Sequence, residues 1–294
     1  MSKDCAENPI PHYQLIDWSR FLLVALNVDA ILQESTIYSR RERLNEITDG
    51  LGLGDGYSAM VEWVKAQGGD ESRLGMEALM WISHAERTLK VDELCYALAV
   101  ELGSTDFNLE NVPSIATLMN CCQGLIAVDK EASTLRLTHF TPQEYLSARP
   151  DIFSRPHSAM AEICLTYLDS KQVKALSTDP SPHILNTPFL SYYSLYWGVH
   201  AKRELSNYSK SRALRLLQQY NGHISAKSFL AHAKGMHFEY LATGSQFTGL
   251  HCASFFGVVE AVVALIEMES YDTNEGDFGG TPRLHGLPRM GMRE

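Results

Sequence analysis

The chain has 294 residues, of which 45% are hydrophobic and 20% are charged, and its formal net charge is −10. This composition is ordinary for a soluble globular protein, and the length allows two domains or one domain with a repeat array attached. The acidic balance opposes a surface built for nucleic acid, because such a surface needs Lys and Arg to neutralise phosphates.

The chain begins with a polar segment broken by prolines, residues 1–20, which we interpret as a disordered leader and not as a signal peptide. The longest apolar run lies between Phe21 and Leu32, but Asn27 and Asp29 interrupt it and it is too short to span a membrane. The six cysteines show no C-x-x-C spacing, which favours buried thiols in a reducing compartment. These features predict a cytoplasmic protein without membrane contact.

Residues 21–72 are predicted to be helical. The i, i+3, i+4, i+7 spacing predicts one buried helix face, formed by Tyr57, Met60, Val61 and Val64. The stretch GLGLGDGYS, residues 50–58, leads into this helix. It lacks both the Gly-Lys-Ser/Thr of a phosphate loop and the second glycine of a nucleophile elbow. We therefore interpret it as a helix end and a turn, where the freedom of glycine at positive φ is favoured.

Residues 73–149 contain three predicted helices, a β-hairpin and a closing helix, which are the elements of a winged helix. The helices carry their apolar residues between Leu74 and Ala85, Val91 and Leu98, and Ile115 and Cys122. The segments GLIAVD and TLRLTHF alternate like strands on either side of the polar turn DKEAS. The closing helix is predicted from the capping sequence TPQE that begins at Thr141. Asp92 and Glu93 are interpreted as solvated charges that the helix dipole favours.

Residues 150–244 are predicted to be a helical spacer. Its first helix carries an apolar face made by Met160, Ile163, Cys164, Tyr167 and Leu168. Further faces are predicted at Tyr192, Leu195, Tyr196 and Val199, and at Leu214, Leu217 and Tyr220. An aromatic stripe of this kind predicts a packed core.

Residues 245–282 carry a repeat signal. Thr281-Pro282 follows Thr248 by 33 residues, which is the ankyrin period. The motif consists of Thr248, Leu250, His251, Ala253, Gly257, Thr281 and Pro282. His251 is predicted to hold a turn through backbone hydrogen bonds, and Gly249, which replaces the usual proline, is predicted to loosen the start of the helix pair. A single repeat cannot bury its apolar face, so we expect partial exposure of Val259, Val262, Val263 and Ile266.

Residues 283–294 are predicted to form a disordered tail. Gly286, Pro288 and Gly291 break helices where a repeat would continue as a helix. Possible codons for this stretch, read two bases later, encode an ankyrin-like helix. We interpret the tail as the product of a frameshift or a mis-called splice site near residue 283.

Several of these segments resemble one family. The stretches ALMWISHAERTLKVDELCYALAVE, CCQGLIAVD and LRLTHFTPQEYL resemble the winged-helix region of fungal NACHT–ankyrin proteins, members of the STAND class related to NOD-like receptors. The same winged-helix type is named after GPI-inositol-deacylase-like proteins. PFLSYYSLYWGVHAK resembles the helical spacer that follows, and GLHCASFFGVVEAVVALIE resembles a first ankyrin repeat.

The resemblance implies that residues 21–72 are the trailing helices of a NACHT-like module and that the chain is the C-terminal part of a larger protein, or a shortened relative. No G-x-x-x-x-G-K-[ST] motif occurs. In the family, the histidine that corresponds to His139 reaches the phosphates of bound ADP. The other interpretation of His139 is a strand-end histidine that holds the hairpin to the helix, and the missing phosphate loop favours it.

The predicted function is a non-catalytic module for regulation and protein interaction, with partners bound through the ankyrin and helical surfaces and with self-association. We expect no catalytic residues, no cofactor and no metal site, since the histidines show no H-x-x-x-H spacing and the cysteines no short pairing. The alternative is the remnant of an NTPase switch that binds ADP through His139. DNA binding is disfavoured because the third helix, NVPSIATLMNCC, has no Lys or Arg.

Overall fold

The computed structural model describes residues 35–48, 53–138, 140–176, 187–234 and 247–268. These parts are mainly helical and contain one small antiparallel sheet, which confirms the predicted fold class. None of their helices combines the length and the apolar character that a membrane crossing needs. The predicted leader, the apolar run from Phe21 to Leu32, His139, Thr281, Pro282 and the predicted tail lie outside the described residues.

The elements fall into two consecutive groups. The first contains α1 (Ile37–Thr48), α2 (Leu53–Ala66), α3 (Gly69–His84), β1 (Leu89–Lys90), α4 (Val91–Leu98), a 3-10 turn (Leu109–Asn111), α5 (Ile115–Cys121), β2 (Ile126–Asp129), β3 (Thr134–Leu137) and α6 (Phe140–Ala148). The second contains α7 (Pro156–Leu168), α8 (Lys171–Lys174), α9 (Leu190–Arg203), α10 (Asn207–Gln218), a 3-10 turn (Tyr220–Gly222), α11 (Ile224–Lys234), α12 (Gly249–Phe256) and α13 (Val259–Met268).

Helix α2 buries the predicted face. Tyr57, Met60, Val61 and Val64 are at most 3% exposed and belong to the hydrophobic core. The helix begins at Leu53, however, so the prediction of a turn over the whole stretch 50–58 is wrong for residues 53–58. Burial of the apolar face against α3 and α6 stabilises this helical turn and overrides the low helix propensity of its glycines.

The sheet has three strands in the order β1-β3-β2, all antiparallel. The predicted hairpin is confirmed as β2 and β3, with Ile126 opposite Leu137 and Asp129 opposite Thr134. The additional strand β1 places Leu89 opposite Leu135. Prediction missed it because two residues are too few to show the period-2 alternation of a strand.

The first and second groups of elements share a core of aromatic side chains. The Trp81 ring centroid lies 6.2 Å from that of Phe189, 5.8 Å from Tyr192 and 6.4 Å from Tyr193. All four side chains are fully buried. Helix α7 packs along α9 and α10, and its predicted face is buried, as is most of the predicted face of α9. This core holds the end of α3 against the start of α9.

Helices α12 and α13 pack on the same bundle, mainly against α10 and α9. The Phe256 ring covers Gly198, where a Cβ atom would overlap it. Gly249 lies against the backbone of α10, and a Cβ atom there would overlap the carbonyl oxygen of Leu217. The missing side chain of Gly249 thus allows a close approach between two helices, a role that the sequence pattern did not predict.

Candidate functional site at the junction of the two groups

The described motif residues of the predicted repeat lie in the helix pair α12–α13. The backbone N–H of Thr248 donates to Nδ1 of His251 over 3.1 Å, and the Thr248 Oγ1 atom is 2.8 Å from the same nitrogen. Leu250 and Ala253 are fully buried. Gly257 ends α12 with φ 68° and ψ 36°, the left-handed conformation that glycine favours. These contacts give His251 a structural position at the start of α12.

Helix α13 presents an apolar stripe to solvent. Val259 is 65% exposed, Val263 46% and Ile266 42%, which confirms the expected exposure of these three residues. Val262 packs against the core and is only partly buried, so its partial exposure also agrees with the expectation. Spacings of four and three residues place the exposed side chains on one face of the helix. We call Val259, Val263 and Ile266 the α13 stripe.

A polar cluster lies where the end of α3 meets the start of α7 and one face of α9. Its members are Glu86, His157, Tyr192, His200 and Arg203. Residues this far apart in the chain show no common spacing, so the search for paired histidines could not find them. The sequence carried no signal for the cluster beyond the helical character of α7 and α9.

The hydrogen bonds of the cluster fix the proton positions on both imidazoles. Arg203 Nη1 lies 3.2 Å from His157 Nε2. A guanidinium only donates, so this nitrogen accepts and the proton of His157 is on Nδ1. His157 Nδ1 then donates to His200 Nδ1 over 2.9 Å, and His200 Nε2 donates to the Tyr192 hydroxyl oxygen over 3.0 Å. Both histidines are neutral in this arrangement.

Burial, like these hydrogen bonds, favours the neutral form of both histidines. His200 is fully buried, and desolvation, followed by the neighbouring His157, lowers its pKa to about 3. Desolvation, followed by the charge of Arg203, lowers the pKa of His157 to about 4. Neither ring carries a charge at neutral pH.

Glu86 supplies the acidic group of the cluster. Its Oε2 accepts a hydrogen bond from Arg203 Nη2 at 3.1 Å, and its backbone N–H donates to the Tyr192 hydroxyl over 3.1 Å. Arg203 Nη1 is 2.6 Å from Oε1 as an ion pair. Oε1 is buried and accepts no hydrogen bond from the residues that the structure describes. It lies 4.0 Å from His200 Nδ1.

The cluster contains the one group of three potential metal ligands within the described ranges. Single ligand atoms of Glu86, His157 and His200 all lie within 4.8 Å of one another. The five described cysteines are buried and free. Desolvation raises the pKa of Cys95 to about 11 and that of Cys122 to about 12. These two thiols are therefore protonated at neutral pH and are poor metal ligands.

A second ion pair lies beside the cluster and corrects a prediction. Glu93 was expected to be solvated, but it is 3% exposed. Its carboxylate accepts hydrogen bonds from Arg87 Nη1 and Nη2 at 2.7 and 2.6 Å and from the Lys90 backbone N–H at 2.9 Å. The guanidinium carbon of Arg87 is 5.2 Å from the centroid of the Tyr192 ring. A buried carboxylate needs such partners, and they come from the tertiary structure.

Replacing Glu93 by Ala is expected to lower the free energy of unfolding by about 3 kcal/mol, at the lower end of the range for a broken buried ion pair. The side chain of Arg87 is 33% exposed, so water screens part of its charge. Urea unfolding followed by circular dichroism measures the change. The matched control is Asp92→Ala, at the neighbouring exposed position, which is expected to cost less than about 1 kcal/mol. Equal costs for the two variants contradict the prediction.

A cleft of about 250 Å³ lies between α3, β1, β3 and α6, with Arg87, Arg136 and Gln143 among its lining residues. Arg87 is already paired with Glu93. The Gln143 amide donates to the backbone carbonyl of Ser83 over 2.7 Å. Two of its polar side chains are therefore occupied by contacts within the protein, and the cleft lends no specific support to phosphate binding.

Comparison with known families found a match that covers most of the first group. Residues 63–160, a third of the chain, match the model of the winged helix domain of GPI inositol-deacylase. This range is wider than the predicted 73–149 and includes the end of α2 and the start of α7. Searches of curated proteins and of solved structures returned no match. Residues 63–160 are thus similar to a winged helix domain of the GPI inositol-deacylase type.

Proposed function

We propose that the chain is a non-catalytic module for regulation and protein interaction, and that it acts within a cytoplasmic STAND protein of the NOD-like, ankyrin-containing type. The winged-helix match of residues 63–160 supports the regulatory part of this proposal. The repeat spacing from Thr248 to Thr281 supports the ankyrin part. The five free cysteines in the described ranges support a reducing compartment.

The observation that carries the interaction role is the α13 stripe. Exposed apolar side chains on one helix face favour association, because covering them removes apolar surface from water. Ala261 and Leu265, on the opposite side of α13, are fully buried. Helix α13 thus packs on the protein through one face, and its other face is available to bind a partner. A helical repeat or another amphipathic helix is the partner whose shape and polarity suit such a face.

The winged helix and the helical segment are joined in a way that suits a regulatory unit. Trp81 packs against aromatic residues at the start of α9 and directly before it, and Glu86 is ion-paired with Arg203. A movement of the winged helix would therefore be transmitted to α9 and, through Gly198 and Phe256, to the helix pair that carries the stripe. In this proposal the junction couples the winged helix to the interaction surface.

Self-association of the purified chain tests the interaction role. We expect concentration-dependent association by sedimentation velocity, and a reduction of at least about tenfold in the association constant for Val263→Glu, since burial of one valine contributes about 1.5 kcal/mol or more. The control is Leu109→Glu, the same type of change at a residue that is 64% exposed outside α13. A monomeric wild-type chain, or equal association of wild type and Val263→Glu, contradicts the proposal.

A further inference from the structure

We infer that Glu86, His157 and His200 form a binding site for a divalent transition-metal ion of the zinc type. The three residues come from the segment after α3, the start of α7 and the second half of α9. Two imidazoles and one carboxylate, with a fourth position open to water, make a donor set that Zn²⁺ accepts. An ion at this place would join the winged helix to the helical segment directly.

The donor atoms are close enough to bind one ion if the side chains of His157 and Glu86 move. Two nitrogens bound tetrahedrally to zinc stand about 3.3 Å apart, and Nδ1 of His157 and Nδ1 of His200 are 2.9 Å apart. Glu86 Oε1 is 4.0 Å from His200 Nδ1. The three donor atoms lie within 4.8 Å of one another, so His157 and Glu86 must move by about 1 Å, and the imidazoles must turn, before all three donors meet at one centre.

His200 is already held in the orientation of a ligand. Its Nε2–H donates to the Tyr192 hydroxyl, which leaves the Nδ1 lone pair directed at the site. A hydrogen bond from the second ring nitrogen is the usual way in which proteins fix the tautomer of a metal-binding histidine. Both His200 and Tyr192 are fully buried, so packing holds this geometry.

Arg203 is the group that the ion replaces. Its guanidinium now neutralises Glu86 and donates to His157 Nε2. The side chain is 48% exposed and can turn into solvent. His157 then moves its proton from Nδ1 to Nε2, remains neutral, and presents the Nδ1 lone pair to the metal. The ion replaces the guanidinium as the positively charged partner of Glu86. Neither histidine releases a proton.

Zinc titration of the full chain, expressed without a histidine tag and freed of metal by a chelator, tests the site. Calorimetry is expected to show one Zn²⁺ per chain, with a rise in Tm on binding. Co²⁺ should give the visible absorption of a tetrahedral nitrogen and oxygen site without the ultraviolet band of cobalt–thiolate bonds. That band distinguishes this site from binding by cysteines.

Variants locate the binding. His157→Gln and Glu86→Gln are each expected to weaken zinc binding at least about tenfold, and both residues are partly exposed, so both variants should fold. The control is His84→Gln, because the ring of His84 is 5.7 Å from that of His157 but offers no ligand to the group. The control is expected to bind like wild type. Absence of stoichiometric zinc binding, or its retention in both ligand variants, overturns the inference.

Discussion

Gly249→Ala is expected to lower the free energy of unfolding by about 3 kcal/mol, at the upper end of the cost of overpacking. A Cβ atom at this position would overlap the carbonyl oxygen of Leu217 and would lie 2.7 Å from its Cα atom. These are backbone atoms of α10, so no side chain can turn away to make room. Relief requires α12 to move off α10, which weakens the attachment of the whole helix pair.

Chemical denaturation of the purified variant gives the size of this effect. The matched control is Gly222→Ala, because a Cβ atom there meets no atom within 4 Å. We expect the control to stay within about 1 kcal/mol of wild type, in the range of ordinary surface substitutions and of glycine replacements without strain. If both alanine variants are equally stable, the close approach of α12 and α10 does not exist in solution.

Trp81→Ala is expected to cost between about 3 and 5 kcal/mol, the usual range for removal of a large buried aromatic side chain. Trp81 is fully buried, and its ring is packed against Phe189, Tyr192 and Tyr193 of the helical part. The cavity would therefore open between the winged helix and α9. Far-UV circular dichroism during urea unfolding measures the loss without depending on the tryptophan signal.

The variant Trp81→Phe tests whether the cost at this position comes from lost side-chain volume or from the loss of the indole N–H group. The indole Nε1 is buried and has no hydrogen-bond partner among the residues that the structure describes. Phenylalanine therefore removes no hydrogen bond and leaves only a smaller cavity, for an expected cost of about 1–2 kcal/mol. An alanine variant as stable as the phenylalanine variant contradicts the shared core.

Gly249 and Trp81 both lie at contacts with α9 or α10, and both predictions therefore concern how much these contacts stabilise the protein. Trp81 of the winged helix packs against Tyr192 of α9, and Phe256 of the helix pair packs against Trp197 of the same helix. A substitution at either contact is expected to change the α13 stripe indirectly, by changing how the helix pair is held. The self-association of Gly249→Ala is therefore informative beside that of Val263→Glu.

The sequence by itself determined the elements whose signals are local. The helix faces of α2 and α7 and the hairpin of β2 and β3 follow from periodicity, because side chains repeat along a helix or strand with a fixed period. The exposed stripe of α13 was also predictable, since one helix pair has too few apolar partners to cover Val259, Val263 and Ile266.

The tertiary structure alone decided the features that depend on contacts across the chain. Strand β1 exists because β3 offers it a hydrogen-bonding edge, and Glu93 is buried because Arg87 lies beside it. Gly249 permits a close approach that only the position of α10 reveals. Glu86, His157 and His200 form one cluster because α3, α7 and α9 converge. Residue spacing along a chain records local geometry, whereas the meeting of distant side chains is fixed only when the helices pack.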